Sequence, residues 1–389
     1  MSQDIDLAVV GAGPAGSSAA EAAAAAGLSV WLIDKKSEIG SPVQCGGFLP
    51  EVLELEKLLP SAELPRALAD IPERIILCRT SLQRIYSPSG SFKELPVVGR
   101  VIDRRAFDRH LAHRAAIAGA RVLPATRARL AEGQLQLSGR FGGPARPKVI
   151  IGADGPHSSV SRAMGNPVQE TGICLEYEMV DVDIDPLAAE MYFSARYAPG
   201  GYAWIIPLGS DSANVGVGVR ASYLSGQRLT QILDSFVAGH PLAREKLAGG
   251  EAVAVMRGAA PAGGSPPAIV KDNLLLAGDA AGQVMATSGG GIPLALVGGR
   301  IAGQVAAGYL RGEERLEDYP SRINREFGIQ LARSVQIRKM VDLAMKSDRL
   351  MNSLFSALSP SQMKSVMRAQ IPEIFLSRAW TGEERGQQS

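Results

Sequence analysis

Residues 6–34 read DLAVVGAGPAGSSAAEAAAAAGLSVWLID, and this stretch decides the fold. A short apolar run, Leu7–Val10, leads into the glycine-rich turn GAGPAG, and an alanine-rich segment follows. A second apolar run, Val30–Ile33, ends at Asp34. Strand, glycine turn, helix, strand and terminal acid in this order are typical of the βαβ unit that binds dinucleotides. The sequence therefore predicts a Rossmann-like nucleotide-binding domain.

Each glycine of the turn has a separate task. Gly11 makes the tight turn, Gly13 lets the backbone approach a pyrophosphate, and Gly16 lets the helix lie close to the sheet. The unpaired N–H groups and the positive dipole at the helix N-terminus favour phosphate. Asp34 follows the second strand, where a carboxylate can accept hydrogen bonds from ribose hydroxyls.

Composition narrows the class of protein. The chain has 389 residues, a formal net charge of +2 and no long block of like charge, so nucleic acid is not an expected partner. Its three cysteines, Cys45, Cys78 and Cys174, lie far apart, without a CxxC pair or a His/Cys cluster. The spacing supports no disulfide framework and no metal site, and it fits a reducing compartment.

The chain has no sequence feature typical of secretion or of a membrane span. Its first residues, MSQDIDL, lack a basic segment, and no apolar run approaches the ~18–20 residues that a span requires. We therefore expect a cytoplasmic protein. The mean hydropathy of +0.05 is slightly high, which permits an apolar substrate or peripheral contact with the inner face of the membrane.

Two further motifs join a buried strand to an acidic turn. The first strand ends in Asp154-Gly155, before a serine-rich helix start. The second ends in Gly278-Asp279, followed by Gly282. In each motif the carboxylate can hold a ribose or ribityl hydroxyl, and the alternative is an acid that caps a helix. The order of the three motifs is more specific than any one of them.

The expected fold class is α/β. We predict a discontinuous nucleotide-binding domain, an inserted antiparallel β-sheet substrate domain and a C-terminal helical region. The predicted ranges are 1–65, 100–165 and 270–312 for the first, 66–99 and 166–269 for the second, and 313–389 for the third. Residues 48–69 are predicted helical, 103–119 form a helix capped by Asp103, and 258–267 form a Gly/Pro-rich connection.

With these motifs the chain resembles the FAD-dependent family that has the p-hydroxybenzoate hydroxylase type of fold. Within it, the chain is most similar to the geranylgeranyl reductases, including archaeal enzymes that saturate the prenyl chains of ether lipids. The resemblance covers about residues 5–330. The matching blocks are Pro42-Val-Gln-Cys45-Gly46, Asp103-Arg-Arg-Ala-Phe-Asp108, Tyr202-Ala-Trp-Ile-Ile-Pro207, Val215-Gly-Val-Gly218, Gly278-Asp-Ala-Ala-Gly282 and Gly289-Gly-Gly-Ile292.

The resemblance implies FAD as the cofactor, with Arg104 contacting it. Ile206 stands where the family usually has Phe, and residues 285–288 replace its usual Pro and Thr, so the substrate pocket has its own shape. The predicted FAD contacts are Gly11, Gly13, Ala15, Gly16, Asp34, Lys35, Cys45, Arg104, Asp154, Gly278, Asp279, Gly282, Gly290, Gly291 and Ile292.

Two of the blocks also have a physical interpretation. Residues 289–291 precede a helix starting near Ile292, whose N–H groups can face the flavin edge where negative charge develops. The alternative is a flexible loop. Alternation along the strand places Tyr202, Trp204 and Ile206 on one face, where they and Pro207 are expected to bind an apolar substrate. Aromatic packing inside the sheet is the alternative.

Cys45, with the adjacent Gly46, is the candidate catalytic group. An isolated trisubstituted alkene is not electrophilic, so a proton must precede or accompany hydride transfer, and a thiol kept neutral by burial can deliver it. The alternative is a small buried hydrophobic residue.

The expected function is FAD-dependent hydrogenation of carbon–carbon double bonds in a polyprenyl lipid. The alternatives are a monooxygenase or halogenase, and a flavin-binding lipid carrier without turnover. NAD(P)H, a ferredoxin and a deazaflavin stay open as electron donors, and a monomer is expected. On the C-terminal helices, packing is the favoured use of one apolar face and membrane contact the alternative; the face comprises Leu350, Leu354, Phe355, Leu358 and Met363.

Overall fold

A computed structural model describes residues 4–131, 134–224 and 226–370. The strands are β1 (Asp4–Val10), β2 (Val30–Ile33), β3 (Phe48–Pro50), β4 (Ile76–Tyr86), β5 (Phe92–Ile102), β6 (Arg121–Leu123), β7 (Thr126–Ala131), β8 (Gln134–Gly139), β9 (Gly143–Gly152), β10 (Thr171–Val180), β11 (Ala188–Tyr192), β12 (Tyr202–Pro207), β13 (Ser212–Arg220), β14 (Glu251–Pro261), β15 (Val270–Lys271) and β16 (Leu274–Leu276).

The helices alternate with these strands and then run together after β16. They are α1 (Pro14–Ala25), α2 (Val52–Leu58), α3 (Arg66–Ala69), α4 (Arg104–Ile117), α5 (Ser159–Ala163), α6 (Leu229–Gly239), α7 (Pro241–Lys246), α8 (Ile292–Leu310), α9 (Tyr319–Ile323), α10 (Ile329–Ala344), α11 (Asp348–Ala357) and α12 (Pro360–Met367). Residues 371–389, the last part of the predicted helical region, lie outside the described residues.

The first sheet confirms the predicted Rossmann-like domain. Its strands follow the order β15-β16-β9-β1-β2-β6; β8 also pairs with β9, and β7 pairs with β8. β1 runs parallel to both β2 and β9, β2 to β6, and β16 to β9. These parallel strands bring the ends of β1, β9 and β16, and therefore the three motifs that follow them, to one edge of the sheet.

Helices α1 and α8 pack very closely on this sheet. A Cβ atom at Gly299 would lie 2.1 Å from the carbonyl oxygen of Ala15, and one at Gly303 would lie 2.3 Å from that of Ala19. Only glycine fits at these two positions of α8. The alanines of α1 serve the same close contact from the other side, and Ala19, Ala20 and Ala23 are fully buried.

The second sheet is the predicted antiparallel one, in the order β14-β10-β13-β12-β11-β4-β5-β3. Only β11 and β4 are parallel neighbours among its described pairs. Cys174 of β10 lies opposite Gly218 of β13, which in turn lies opposite Tyr202 of β12. This register places the aromatic strand β12, the glycines of β13 and the centre of β10 side by side.

Two local predictions are wrong and one is confirmed. Residues 48–50 form strand β3, because Leu49 is fully buried against β5, and α2 and α3 follow it. Residues 251–261 form strand β14 along β10, although Gly258 and Pro261 suggested a loop; an edge strand tolerates both residues. Helix α4 begins as predicted, with the Asp103 carboxylate accepting from the N–H groups of Arg105 and Ala106.

Among the C-terminal residues, three of the five apolar side chains pack inside the protein. Phe355, Leu358 and Met363 are buried with Ile85 and Leu95, and Leu354 packs against this cluster. Leu350 is 51% exposed. Packing, the favoured interpretation of this face, therefore holds for four of its residues. The division of the chain into the predicted domain ranges stays a prediction, and β3, from within 1–65, pairs with the second sheet.

Candidate functional site

The glycine turn after β1 has the geometry that a pyrophosphate requires. Gly11 has φ +104°, and a Cβ there would lie 2.2 Å from the carbonyl oxygen of Ala153. A Cβ at Gly16 would lie 1.8 Å from the Gly11 carbonyl oxygen. Packing therefore requires glycine at both positions. Gly13 differs, because a Cβ there meets no atom within 4 Å and points into open space at the start of α1.

Asp34 lies directly beside this turn. One carboxylate oxygen accepts from the N–H of Ala12 at 2.8 Å and the other from the N–H of Lys36 at 2.8 Å. A carboxylate has about four acceptor positions, so two remain for hydroxyl groups. Lys35 is exposed next to it.

Asp154 has a local role in the structure. Its carboxylate accepts from the hydroxyl of Ser158 at 2.5 Å and from the N–H and hydroxyl of Ser159 at 2.7 and 2.8 Å. These contacts fix the start of α5, which is the helix-capping alternative raised from the sequence. A contact between Asp154 and FAD stays a prediction.

Asp279 follows β16 in a turn made by two left-handed glycines, Gly278 at φ +63° and Gly282 at φ +66°. Gln169 donates to the carbonyl oxygens of Asp279 and Ala280 and holds the turn in place. Burial raises the pKa of Asp279 to about 6, although the positive charge of Arg104 opposes the shift. Within the described residues no donor reaches the Asp279 carboxylate.

The turns that begin at Gly11 and Gly278 are in contact. A Cβ at Gly278 would lie 2.7 Å from the Cβ of Ala15, so Ala15 packs against the second turn. A Cβ at Gly291 would lie 3.5 Å from a carboxylate oxygen of Asp279, which places the start of α8 beside it. The turns that contain Gly13, Asp279 and Gly291 therefore lie side by side at one edge of the first sheet.

Aromatic side chains of β12 cover the glycines of β13. The Trp204 ring lies over Gly216, where a Cβ would stand 2.3 Å from its Cζ2 atom, and 3.4 Å from the Cβ position of Gly218. The Trp204 indole N–H donates to Asn214 at 2.7 Å. A side chain at Gly216 would therefore clash with the indole ring. The common face predicted for β12 is present.

Tyr202 connects this face to the glycine-rich turn before α8. Its hydroxyl donates to the carbonyl oxygen of Ser288 at 2.5 Å and lies 3.4 Å from the Cβ position of Gly289. Burial strongly raises the pKa of Tyr202, and the nearby Cys174, Cys45 and Glu176 add to the effect. Tyr202 is thus a neutral hydrogen-bond donor that fixes the turn, rather than an acid.

Cys45 lies in the loop that crosses this face. Its sulfur accepts from the N–H of Gly47 at 3.5 Å, and a Cβ at Gly46 would lie 2.8 Å from Ile206 and 2.9 Å from Asn214. Gly46 therefore lets the loop backbone lie against β12 and β13. The guanidinium of the nearby Arg104 lies 3.0 Å from the Asp108 carboxylate. Burial lowers the pKa of Arg104, but Asp108 and Cys45 have the larger effect, so this pKa is raised overall.

A cavity of about 380 Å³ opens between this face and the glycine-rich turn. That volume is within the ~300–1,000 Å³ usual for small-molecule sites. The candidate residues in its wall are Cys45, Gly46, Tyr202, Trp204, Ile206, Gly290, Gly291 and Ile292. Apolar side chains form much of the rest of the wall: Leu55, Leu58, Leu95, Val97, Met191, Met345 and Met367. Pro207 is buried at the end of β12, outside this lining.

Three polar residues of the same wall region were missed by the sequence interpretation. Glu176 and Cys174 of β10 line the cavity, and Asn214 of β13 donates to Glu176 at 3.0 Å. Burial raises the pKa of Cys174 to about 12 and that of Glu176 to about 7. The motif EYE around Glu176 carries no sequence signal, because its position depends on pairing with a distant strand.

The described residues fit FAD by their own geometry. The turn at Gly13 offers open space and free N–H groups at a helix start, Asp34 has spare acceptor positions, and Asp279 has a carboxylate without a donor beside Gly291. An elongated nucleotide with hydroxyl groups in its middle uses all three features. Within the described residues no cluster of His, Cys, Asp or Glu suits a metal ion. None of the described helices has the length and hydropathy of a membrane span.

This fold and site define an FAD-dependent oxidoreductase. The family model of a geranylgeranyl reductase catalytic domain matches residues 170–259, and that of an NAD(P)-binding Rossmann-like domain matches residues 9–46. The chain is 36% identical to digeranylgeranylglycerophospholipid reductase 2 of Methanopyrus kandleri, over 94% of this chain and 93% of that protein. It is 33% identical to the digeranylgeranylglycerophospholipid reductase of Methanocella arvoryzae, over 97% of both. The chain belongs to the geranylgeranyl reductase family.

Solved structures agree with this assignment. A geranylgeranyl bacteriochlorophyll reductase-like protein from Thermoplasma acidophilum matches with a TM-score of 0.83 and 28% identity, over 97% of this chain and 99% of that one. A flavin-dependent brominase matches with a TM-score of 0.71 and 17% identity, over 94% and 93%. At that identity the brominase shows only a common fold, so it gives no support to the halogenase alternative.

Proposed function

We propose that this chain hydrogenates carbon–carbon double bonds in the geranylgeranyl or polyprenyl chains of isoprenoid ether lipids. The observation that carries the proposal is the mainly apolar cavity whose wall includes Cys45, Gly291, Trp204, Met345 and Met367. A flexible hydrocarbon chain fits such a wall, whereas a small polar substrate would leave it in contact with water. The names of the relatives at 33–36% identity support the same substrate class.

The reaction needs a hydride and a proton for each double bond. Reduced FAD supplies the hydride when it is bound, and the residues that would hold it are those of the three turns described above. We propose that Cys45 gives the proton, because the thiol lies in the same cavity wall as the glycine-rich turn. Exclusion of water by the apolar wall prevents the proton from being lost to solvent.

The experiment uses purified holo-protein, dithionite as reductant and an unsaturated geranylgeranyl ether lipid. Mass spectrometry of the recovered lipid should show a gain of two hydrogen atoms per double bond. Unchanged lipid, recovered from protein whose flavin is fully reduced, contradicts the proposal. Lipid that stays bound without a change of mass supports the flavin-binding carrier instead, and a rapid reaction of the reduced flavin with oxygen supports a monooxygenase.

We further propose that a surface of α10 and α11 contacts the membrane. Met340, Leu343 and Leu350 are 46%, 63% and 51% exposed. Three exposed basic side chains surround them: Lys339, Lys346 and Arg349. Met345, between the two helices, lines the cavity, so this surface lies next to a route for a lipid that cannot diffuse through water.

Vesicles of phosphatidylglycerol and phosphatidylcholine test the surface. Wild-type protein should float with the vesicles, and Leu343→Glu should not, because a charge replaces an apolar contact. The control is Val255→Glu on strand β14 of the second sheet, away from α10 and α11. Val255 is 62% exposed. Equal flotation of wild type and Leu343→Glu contradicts this surface.

The electron donor is proposed to be NAD(P)H, a ferredoxin or a reduced deazaflavin, and the protein is proposed to be a monomer. Anaerobic flavin bleaching by each donor in turn separates the three donors. Light scattering of the holo-protein gives the oligomeric state.

A further inference from the structure

Glu176 is the buried acid of the cavity wall. It is 2% exposed, yet it lines the same cavity as Cys45 and Trp204. The register of the second sheet places Glu176 opposite Gly216, whose missing side chain leaves room above the strand for the Trp204 ring. Burying a carboxyl group away from water costs free energy. A buried glutamate at this position therefore suggests a chemical role.

A chain of hydrogen bonds fixes the Glu176 carboxyl group. The Asn214 amide donates to it at 3.0 Å, and the same amide accepts from the Trp204 indole at 2.7 Å. Asn214 also lies against the loop of Cys45, since a Cβ at Gly46 would lie 2.9 Å from its side-chain oxygen. The amide therefore holds the acid of β10 against the loop that carries the thiol.

The surroundings of Glu176 set its protonation near neutral pH. Burial raises its pKa to about 7, while the Asn214 hydrogen bond and the charge of Arg104 oppose the shift. Cys45 helps to raise the pKa of Arg104, and the charge of Arg104 acts on Glu176, so both groups lie near the same guanidinium. The titratable or charged groups on the surrounding elements are Cys45, Arg104, Cys174, Glu178, Tyr202 and Asp279.

We propose that Glu176 returns a proton to Cys45 after each reduction, an inference that rests on the function proposed above. When Cys45 has protonated the alkene, its thiolate takes the proton of the Glu176 carboxyl group. The O–H bond breaks, the S–H bond forms, and no electrons are exchanged. Water enters the cavity when the reduced lipid leaves, and the Glu176 carboxylate then takes a proton from it. Glu176 does not touch the alkene and acts through Cys45.

The direction of this transfer agrees with the acidities involved. With a pKa of about 7, the Glu176 carboxyl group keeps a proton at neutral pH that it can give to a neighbouring thiolate. Such an acid is also reprotonated readily at neutral pH, whereas an ordinary glutamic acid with a pKa of ~4.3 would stay ionised. Burial of Glu176 is therefore what suits it to repeated turnover.

The test compares first and later turnovers of Glu176→Gln in holo-protein with excess dithionite. Gln keeps the shape and can still accept from Asn214, but it has no proton to give. We expect the first double bond to be reduced at close to the wild-type rate, because in this proposal Glu176 acts only after Cys45 has given its proton to the alkene. Later turnovers should slow by ~100-fold or more, the usual size of a general-acid effect. Glu251→Gln, an exposed glutamate at the start of the neighbouring strand β14 and outside the cavity lining, is the control.

A spectroscopic titration gives a readout that does not depend on activity. In a Trp31→Phe, Trp380→Phe background Trp204 is the only tryptophan, and its fluorescence should change with pH around a midpoint of about 7. The change should disappear in Glu176→Gln. In the same pH range the wild-type rate of later turnovers should fall as the pH rises, because Glu176 must be protonated.

Three results overturn the proposal. Later turnovers of Glu176→Gln at the wild-type rate show that Cys45 recovers its proton elsewhere. Loss of the first turnover shows that Glu176 protonates the lipid directly. A Trp204 titration that persists in Glu176→Gln belongs to another group. If the wild-type protein reduces no double bond, the proposed function itself fails, which separates the two cases.

Discussion

The indole ring of Trp204 lies on Gly216 so closely that a methyl group at Gly216 would stand 2.3 Å from the ring. The contact orients the indole so that its N–H donates to Asn214, and it makes the ring part of the cavity wall. The position of this part of the cavity wall thus depends on an absent side chain on the neighbouring strand.

Gly216→Ala should therefore displace the indole. We expect a loss of stability of ~1–3 kcal/mol, typical of overpacking, and slower reduction of long prenyl chains at unchanged FAD content. Urea denaturation and lipid turnover measure the two effects. Gly239→Ala is the control, since a Cβ there has 3.6 Å to its nearest atom and Gly239 lies outside the cavity lining. Equal effects of the two variants would show that the indole contact is unimportant.

Gly13→Val should fold and yet fail to hold FAD. A Cβ at Gly13 meets no protein atom within 4 Å, so the added side chain occupies only the space assigned to the pyrophosphate. Asp34→Ala should weaken FAD binding less, because it removes contacts and adds no obstacle. Absorbance of bound flavin and circular dichroism of the fold are the measurements. Full FAD occupancy in Gly13→Val contradicts the assignment of this turn.

Cys45→Ala should abolish alkene reduction while dithionite still reduces the flavin. Cys45→Ser should also be slow, because a hydroxyl is a much weaker acid than a thiol. Cys78→Ala serves as the control. The Cys78 thiol donates to the carbonyl oxygen of Pro186, and Cys78 is outside the cavity lining. Normal lipid turnover in Cys45→Ala would leave Cys45 with a packing role only.

Trp204→Phe should reduce turnover of long prenyl substrates without loss of FAD. Phenylalanine keeps an aromatic ring on Gly216 but cannot donate to Asn214, so the cavity wall and the Glu176 hydrogen bond both change. Steady-state kinetics with substrates of different chain length separate binding from chemistry. Trp31→Phe on β2 is the control. Unaltered kinetics of Trp204→Phe would argue against a role of Trp204 in substrate binding.

The stability of the cofactor-free protein should fall as the pH rises from about 4 to 6. The pKa of Asp279 is about 6 in the folded state and 3.8 as an ordinary aspartate, so the folded state binds more protons in this range and ionisation favours unfolding. Thermal melts at several pH values measure this, and Asp279→Asn should flatten the dependence while weakening FAD binding. An identical pH profile in Asp279→Asn contradicts the shift.

The sequence predicted those features whose cause is local. The turn from Gly11 to Gly16, the Asp103 cap and the alternation from Tyr202 to Ile206 each depend on neighbours within a few residues, and all three are present. Strand β14 was missed because Gly258 and Pro261 are typical of loops, and only the long-range pairing with β10 makes them part of a strand.

Glu176 and Asn214 could not be predicted for the same reason. They are 38 residues apart, and nothing in either segment indicates that β10 and β13 pair in the register that joins them. Asp154 is a local case, because its carboxylate binds Ser158 and Ser159 a few residues away, as the helix-capping alternative proposed, and its contact with FAD stays a prediction. Local sequence patterns identify turns and caps, whereas the residues of a cavity wall come together through the register between distant strands.

The tight contact of Gly299 with the Ala15 carbonyl oxygen has a consequence for biosynthesis. Helix α1 is among the first segments to leave the ribosome, but the helix that covers it, and the turn at Gly291 that faces Asp279, come nearly 300 residues later. A nascent chain therefore exposes a half-formed nucleotide site for most of its synthesis. The two turns can come together only once α8 has emerged, so we expect stable flavin loading only after that point of synthesis.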